Sequence, residues 1–124
     1  MRENFAILIV DDEESIRLLL QAFLSSKYDC TVVDSAESAL SALKSKPFDL
    51  VLLDMCLTSI SGLELCPMIK ERWPRTVVAM MTGFRSSEAR EKALRGGVSR
   101  VLYKPFDLSE VAAAVESASG HRGQ

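Results

Sequence analysis

The sequence predicts an α/β domain, a doubly wound five-stranded parallel sheet in the order 2-1-3-4-5 with helices on both faces. Three observations lead there. Five short apolar runs recur along the 124 residues, and stretches of helical period separate them. The runs are continuously apolar and do not alternate, which is the pattern of strands covered on both sides, as in a parallel sheet between helices.

The first run, residues 5–10 (FAILIV), is the first strand. Residues 14–25 follow, with Ile16, Leu19, Leu20 and Phe23 at i, i+3, i+4 and i+7, one helical stripe expected to be buried. Residues 31–33 (TVV) form the second strand. Residues 36–44 carry Ala36, Leu40 and Leu43 on one side, after a cap at Asp34 or Ser35. Residues 50–53 (LVLL) are the third strand. The helix after it is placed to begin around Leu63 or Glu64, because Pro67 is tolerated only near a helix start. Residues 76–81 are the fourth strand, and Ser86 or Ser87 caps a helix running to Arg95 and stopping at Gly96-Gly97. Residues 101–103 are the fifth strand. The last helix carries Leu108, Val111, Ala112 and Val115, and Asp107 with Glu110 has the form of a capping box. The domain is expected to span residues 1–118, with residues 119–124 a disordered tail.

Composition narrows the function. One domain of this length buries roughly two-thirds of its unfolded surface, enough for a core without staples. At 48% hydrophobic and 26% charged, with no apolar stretch near the roughly 20 residues needed to cross a bilayer, the chain reads as a soluble globular protein. The start, MRENFAILIVDDEE, runs into four acids and is not a secretory signal, so a cytoplasmic location is expected. Cys30, Cys56 and Cys66 have no CxxC spacing, and the only histidine, His121, falls in the expected tail. Zinc sites and Cys/His catalysis are therefore not expected, and the thiols read as reduced and partly buried. A net charge of −2 gives no footprint for direct nucleic-acid binding.

In a parallel sheet all strands end at one edge, so the residues after each run share a surface. They are Asp11 and Asp12, Asp34, Asp54, Thr82 and Lys104. Ligands bind such sheets where the strand order reverses, here between strands 1 and 3, which would bring Asp11, Asp12 and Asp54 together. Three neighbouring carboxylates repel unless a cation joins them, and a small set of hard oxygen donors suits Mg²⁺. Thr82 and Lys104 add a hydroxyl and an ammonium, the donors that phosphoryl oxygens require, and Gly83 leaves room for approach. The set fits an aspartyl phosphate formed on Asp54. Each residue alone has a plainer reading. The acids after strands could cap helices, the reading preferred for Asp34 at the sheet edge; Thr82 could be a turn former, and Lys104 a solvated lysine.

Taken jointly, the segments resemble the receiver domain of two-component response regulators over residues 5–118. "ILIVDDEESIR" is similar to the family's acidic-pair motif, and "DLVLLDMCLTSISG" to its phosphoacceptor strand, with the glycine eight residues on at Gly62. "AMMTGF" and "LYKPF" are similar to its Ser/Thr and Lys-Pro motifs. The resemblance implies a flavodoxin-like fold in which Asp54 accepts a phosphoryl group from a histidine kinase or phosphotransfer protein. Asp11, Asp12, Asp54 and the backbone carbonyl of Cys56 would surround Mg²⁺, Thr82 and Lys104 would contact the phosphoryl oxygens, and Lys104-Pro105 would be cis. The family's Met-Pro or Leu-Pro after the phosphoacceptor is Leu57-Thr58 here, which removes proline's stiffness from that loop. The switch aromatic three residues before the lysine is Val101, with Tyr103 on the same strand face as either a partial substitute or a plain packed residue. Cys56 and Phe84 stand where the family flanks the hydrolytic water. Neither orients water well, so a long-lived phosphorylated state is expected.

The expected output is a switch that passes its state to an output domain or homodimer through the face of the fourth helix, fifth strand and fifth helix. Arg85, Arg90, Lys92, Arg95 and Arg100 bias that face basic. The chain would catalyse only its own phosphorylation and dephosphorylation, with no membrane partner. Three alternatives are weaker. A Mg²⁺-dependent aspartyl-phosphate phosphatase of the haloacid-dehalogenase type carries D-x-D, and these acids are adjacent. A nucleotide or flavin binder would need glycines where Asp11-Asp12-Glu13-Glu14 stands. A phosphorylation-independent interaction module does not require the five signature residues, all of which are present. "MTGF" and "KPFDLSE" are faintly similar to receivers attached to enhancer-type activators, and either a stand-alone regulator or a domain of a longer one fits the sequence.

Overall fold

The structure, a computed structural model, describes residues 4–122. Its elements alternate strictly: β1 (Ala6–Val10), α1 (Glu14–Leu24), β2 (Asp29–Val33), α2 (Ala36–Ser45), β3 (Leu50–Asp54), α3 (Gly62–Arg72), β4 (Val77–Thr82), α4 (Ser87–Arg95), β5 (Arg100–Tyr103) and α5 (Leu108–Arg122). The five strands form one parallel sheet in the order β2-β1-β3-β4-β5, as expected for a doubly wound sheet.

The apolar runs are continuous because successive side chains enter two different cores. Ala6, Leu8 and Val10 of β1, Val51 and Leu53 of β3, and Val78 and Met80 of β4 pack with α2, α3 and α4 on one side. Ile7, Ile9, Leu50, Leu52, Ala79 and Met81 pack with α1 and α5 on the other. No helix among the described residues is long and apolar enough to cross a membrane.

Several local expectations are corrected. In α1 the buried positions are Leu20 and Leu24 with Ile16 packed beside them, while Leu19 and Phe23 are 42% and 37% exposed. The Leu18-Leu19-Leu20 run leaves the stripe's phase ambiguous, and the sheet selects one of two rotations. Asp34 is exposed and does not cap α2; Ser35 does, accepting from the Ser38 N–H. Helix α3 begins earlier, at Gly62, because the Ser61 hydroxyl accepts from the Leu63 N–H. Pro67 is its sixth residue. Ser86 caps α4 through Ala89, and Gly97 after it has φ +110°, a conformation that favours glycine. Asp107 caps α5 through the N–H and hydroxyl of Ser109 in place of the Glu110 N–H.

Helix α5 also runs on to Arg122 across the expected tail, buried along Val111, Ala114, Val115 and Ala118. Gly120 falls within the helix without ending it, and the small residues Ala114 and Ala118 let it lie against the sheet. Residues 123–124 of that tail lie outside the described residues. Of the cysteines, Cys30 and Cys66 are partly or fully buried, and burial pushes both thiols up to about 11, whereas Cys56 is exposed.

Candidate phosphoryl site

The carboxyl ends of β1 and β3 lie side by side, paired up to Val10 with Leu53. The next residues, Asp11 and Asp54, therefore meet at the crevice where the strand order reverses. Carboxylate oxygens of Asp11, Asp12 and Asp54 lie within 4.8 Å of one another. Asp11 is 0% exposed and Asp54 4%, while Asp12 is at the surface. The acids do not serve as helix caps: the N-cap of α1 is Glu13, with no side-chain capping bond. Asp11 instead accepts from the Glu13 N–H at 2.9 Å, and its own carbonyl accepts from the Arg17 guanidinium at 2.9 Å. The turn is thus organised around Asp11.

Lys104, from the end of β5, crosses to these acids. Its Nζ lies 2.8 Å from Asp11 Oδ2, 3.1 Å from Glu13 Oε1 and 3.5 Å from Asp54 Oδ1. It is no solvated lysine, since its side chain is only 14% exposed. Burial works against its charge, but the bonded Asp11 and neighbouring Asp54 prevail and hold its pKa above the usual value. Asp54 is pushed up to about 6, first by burial and then by the Asp11 charge, against the opposing pull of Lys104 and the Cys56 N–H. The lysine balances the cluster only in part. A set of hard carboxylate oxygens with net negative charge fits a small divalent cation such as Mg²⁺.

Thr82 closes β4, which pairs Asp54 with Met81 and Thr82 with Tyr103. It is buried, and its hydroxyl accepts from the Phe84 N–H at 2.9 Å, so the turn-forming reading holds for its lone pair. The hydroxyl proton remains available for another acceptor. A Cβ at Gly83 would meet nothing within 4 Å, so this edge is open. Phe84, 61% exposed, lines an open groove of about 410 Å³ beside β3 together with Cys56 and Leu57. Lys104-Pro105 is cis.

Two contacts of this site were not read from the sequence. Glu13, to which the sequence assigned no part in the site, binds Lys104. Thr58, at the position where proline was expected, donates its hydroxyl to Asp12 Oδ2 at 3.3 Å and ties the β3–α3 loop to the acidic turn. Gly62 gains a physical reason: a Cβ there would collide with the Asp54 carbonyl oxygen and lie 2.9 Å from Met55 Cα. Val101 packs into the core below α4, and Tyr103 stacks under the Arg85 guanidinium at 4.4 Å. Asp34 takes no part in the site.

The family model for the response regulator receiver domain matches residues 7–116. The response regulator protein PilR of Pseudomonas aeruginosa is 41% identical over 112 residues, covering 90% of this chain and 25% of that protein. The DNA-binding transcriptional regulator NtrC of Salmonella typhimurium is 37% identical over 114 residues, covering 91% and 24%. The chain therefore spans about a quarter of the length of these curated relatives. Among solved structures, the signal receiver domain of an HD domain-containing protein from Pseudomonas fluorescens superposes with TM-score 0.93 at 31% identity, covering 99% of this chain and 92% of that one. The beryllofluoride-activated DrrB receiver domain superposes with TM-score 0.88 at 28% identity, covering 94% and 98%.

Proposed function

This chain belongs to the family of response regulator receiver domains, and from that premise we propose that Asp54 is its phosphoacceptor, with Thr82 and Lys104 assisting. The observation that carries the reading is the convergence of Asp11, Asp12, Asp54 and Lys104 at one sheet edge. Receiver domains generally bind Mg²⁺, and Asp11, Asp12, Asp54 and the Cys56 carbonyl would hold it. When bound, it supplies positive charge to neutralise the phosphoryl oxygens.

An Asp54 carboxylate oxygen attacks phosphorus of a phosphohistidine on a kinase or phosphotransfer protein. The P–O bond forms as the P–N bond breaks, and the imidazole keeps the electron pair. Lys104 and the Thr82 hydroxyl proton stabilise the oxygens of the transferred group.

The relatives are some four times longer than this chain. That supports an output domain as the recipient of the signal, through the face of α4, β5 and α5. The phosphatase alternative is not favoured, since the acids are adjacent and not in D-x-D spacing. Mg²⁺-dependent labelling by a small acyl phosphate, followed by intact mass, tests the reading. Labelling should vanish in Asp54→Ala; label retained in that variant would overturn it.

A further inference from the structure

We propose that Glu13 is a positioning residue for Lys104: it holds the ammonium in the unphosphorylated chain and is the partner given up when a phosphoryl group arrives. This rests on Asp54 being the phosphoacceptor. Among the described residues, the ammonium's partners are three carboxylates, Asp11 at 2.8 Å, Glu13 at 3.1 Å and Asp54 at 3.5 Å. An ammonium has three protons, so each is committed. The contact to Asp54, the longest of the three, passes to the phosphoryl group formed there, and drawing the ammonium closer onto those oxygens requires that one of the other two be given up.

Burial decides which. The Asp11 side chain is 0% exposed, and deserting it would leave an uncompensated charge in the interior. Glu13 is 58% exposed, so water replaces the lost contact at small cost. The Glu13 side chain has no capping duty, although the residue is the N-cap of α1. Its position is held by its backbone N–H on Asp11 Oδ1, which a side-chain substitution leaves intact. Glu13 therefore competes with the phosphoryl group for Lys104 and weights the switch toward its resting state.

The test is the affinity of the intact chain for beryllofluoride, a phosphoryl mimic, at fixed Mg²⁺, measured by calorimetric titration. Glu13→Gln removes the charge, and Glu13→Asp keeps it on a side chain one methylene shorter. Glu14→Gln neutralises the neighbouring acid, which is not a partner of the ammonium. Both Glu13 variants should bind the mimic about fivefold more tightly, the scale of one partly exposed ion pair, while Glu14→Gln stays at the wild-type affinity. Such a gain is not something a damaged fold produces, and melting temperatures should match. Equal affinities throughout would overturn the proposal, as would equal tightening in Glu13→Gln and Glu14→Gln with Glu13→Asp unchanged, which would make the effect one of net charge. Absence of binding by the wild type would remove the Asp54 reading itself and this proposal with it.

Discussion

The Lys104 ammonium sits 2.8 Å from Oδ2 of Asp11, a wholly buried carboxylate 93 positions earlier in the chain. β1 and β5 are not neighbours in the sheet, so this contact ties two separated strands together across the site. Removing one partner of a buried pair leaves the other charge unpaired. Lys104→Met should therefore destabilise the metal-free protein by about 3 kcal/mol at pH 7 in urea unfolding. A loss within the error of the wild-type value would show that the pair contributes little.

Asp54 gives a pH dependence of defined sign. Its pKa is raised from 3.8 to about 6, so the folded chain binds this proton more tightly than the unfolded chain. Stability from this group is present below about pH 4 and is lost as pH rises through about 6. Asp54→Asn, with no charge to bury, should be more stable than wild type by about 3 kcal/mol at pH 7 in the presence of a chelator. The advantage should shrink toward pH 4. Urea unfolding of both proteins across this range checks it, and a pH-independent difference would contradict it.

Mg²⁺ should narrow that gap, because a cation held by native carboxylates stabilises the folded chain alone. Adding millimolar Mg²⁺ should raise the melting temperature of wild type more than that of Asp54→Asn. Differential scanning fluorimetry with and without chelator measures the difference, and identical increments would argue against Asp54 as a ligand.

Gly62 backs onto the end of β3, where a Cβ would strike the Asp54 carbonyl oxygen, and its N–H donates to the Met55 carbonyl at 2.7 Å. Both obstructing groups are backbone, so neither can rotate away. Gly62→Ala should cost about 2 kcal/mol or more and depress labelling of Asp54 beyond what the stability loss explains. Unfolding and labelling measured on the same preparation separate the two effects.

The exposed Cys56 and Phe84 flank the site without a group suited to orienting water. Phosphorylated protein should lose its label faster in the Cys56→Asn, Phe84→Glu double variant, about tenfold on the scale of general base assistance. Decay at the wild-type rate in that variant would rule out these side chains as the cause of a long lifetime.

Much of the site was legible in the sequence because strand ends of a parallel sheet share an edge. Asp11, Asp12 and Asp54 could be assembled from two apolar runs and a strand order alone. The turn-forming reading of Thr82 was legible, and its hydroxyl, which accepts from the Phe84 N–H, still keeps a proton to donate. Glu13 and Thr58 were not readable. Their contacts, to Lys104 and Asp12, join residues 91 and 46 positions apart, and depend on how far flexible side chains reach across loops.

The sequence by itself determined the alternation of strands and helices, the burial of the sheet on both faces and the acidic edge, because hydrophobic period and strand-end chemistry are local properties. Only the tertiary structure decided which side of Leu18-Leu19-Leu20 turns inward, that Ser35 and not Asp34 caps α2, and that α5 reaches Arg122. It also decided how one ammonium is divided among three carboxylates. Each of those outcomes is a competition between near-equal local options, settled by packing against residues distant in the chain.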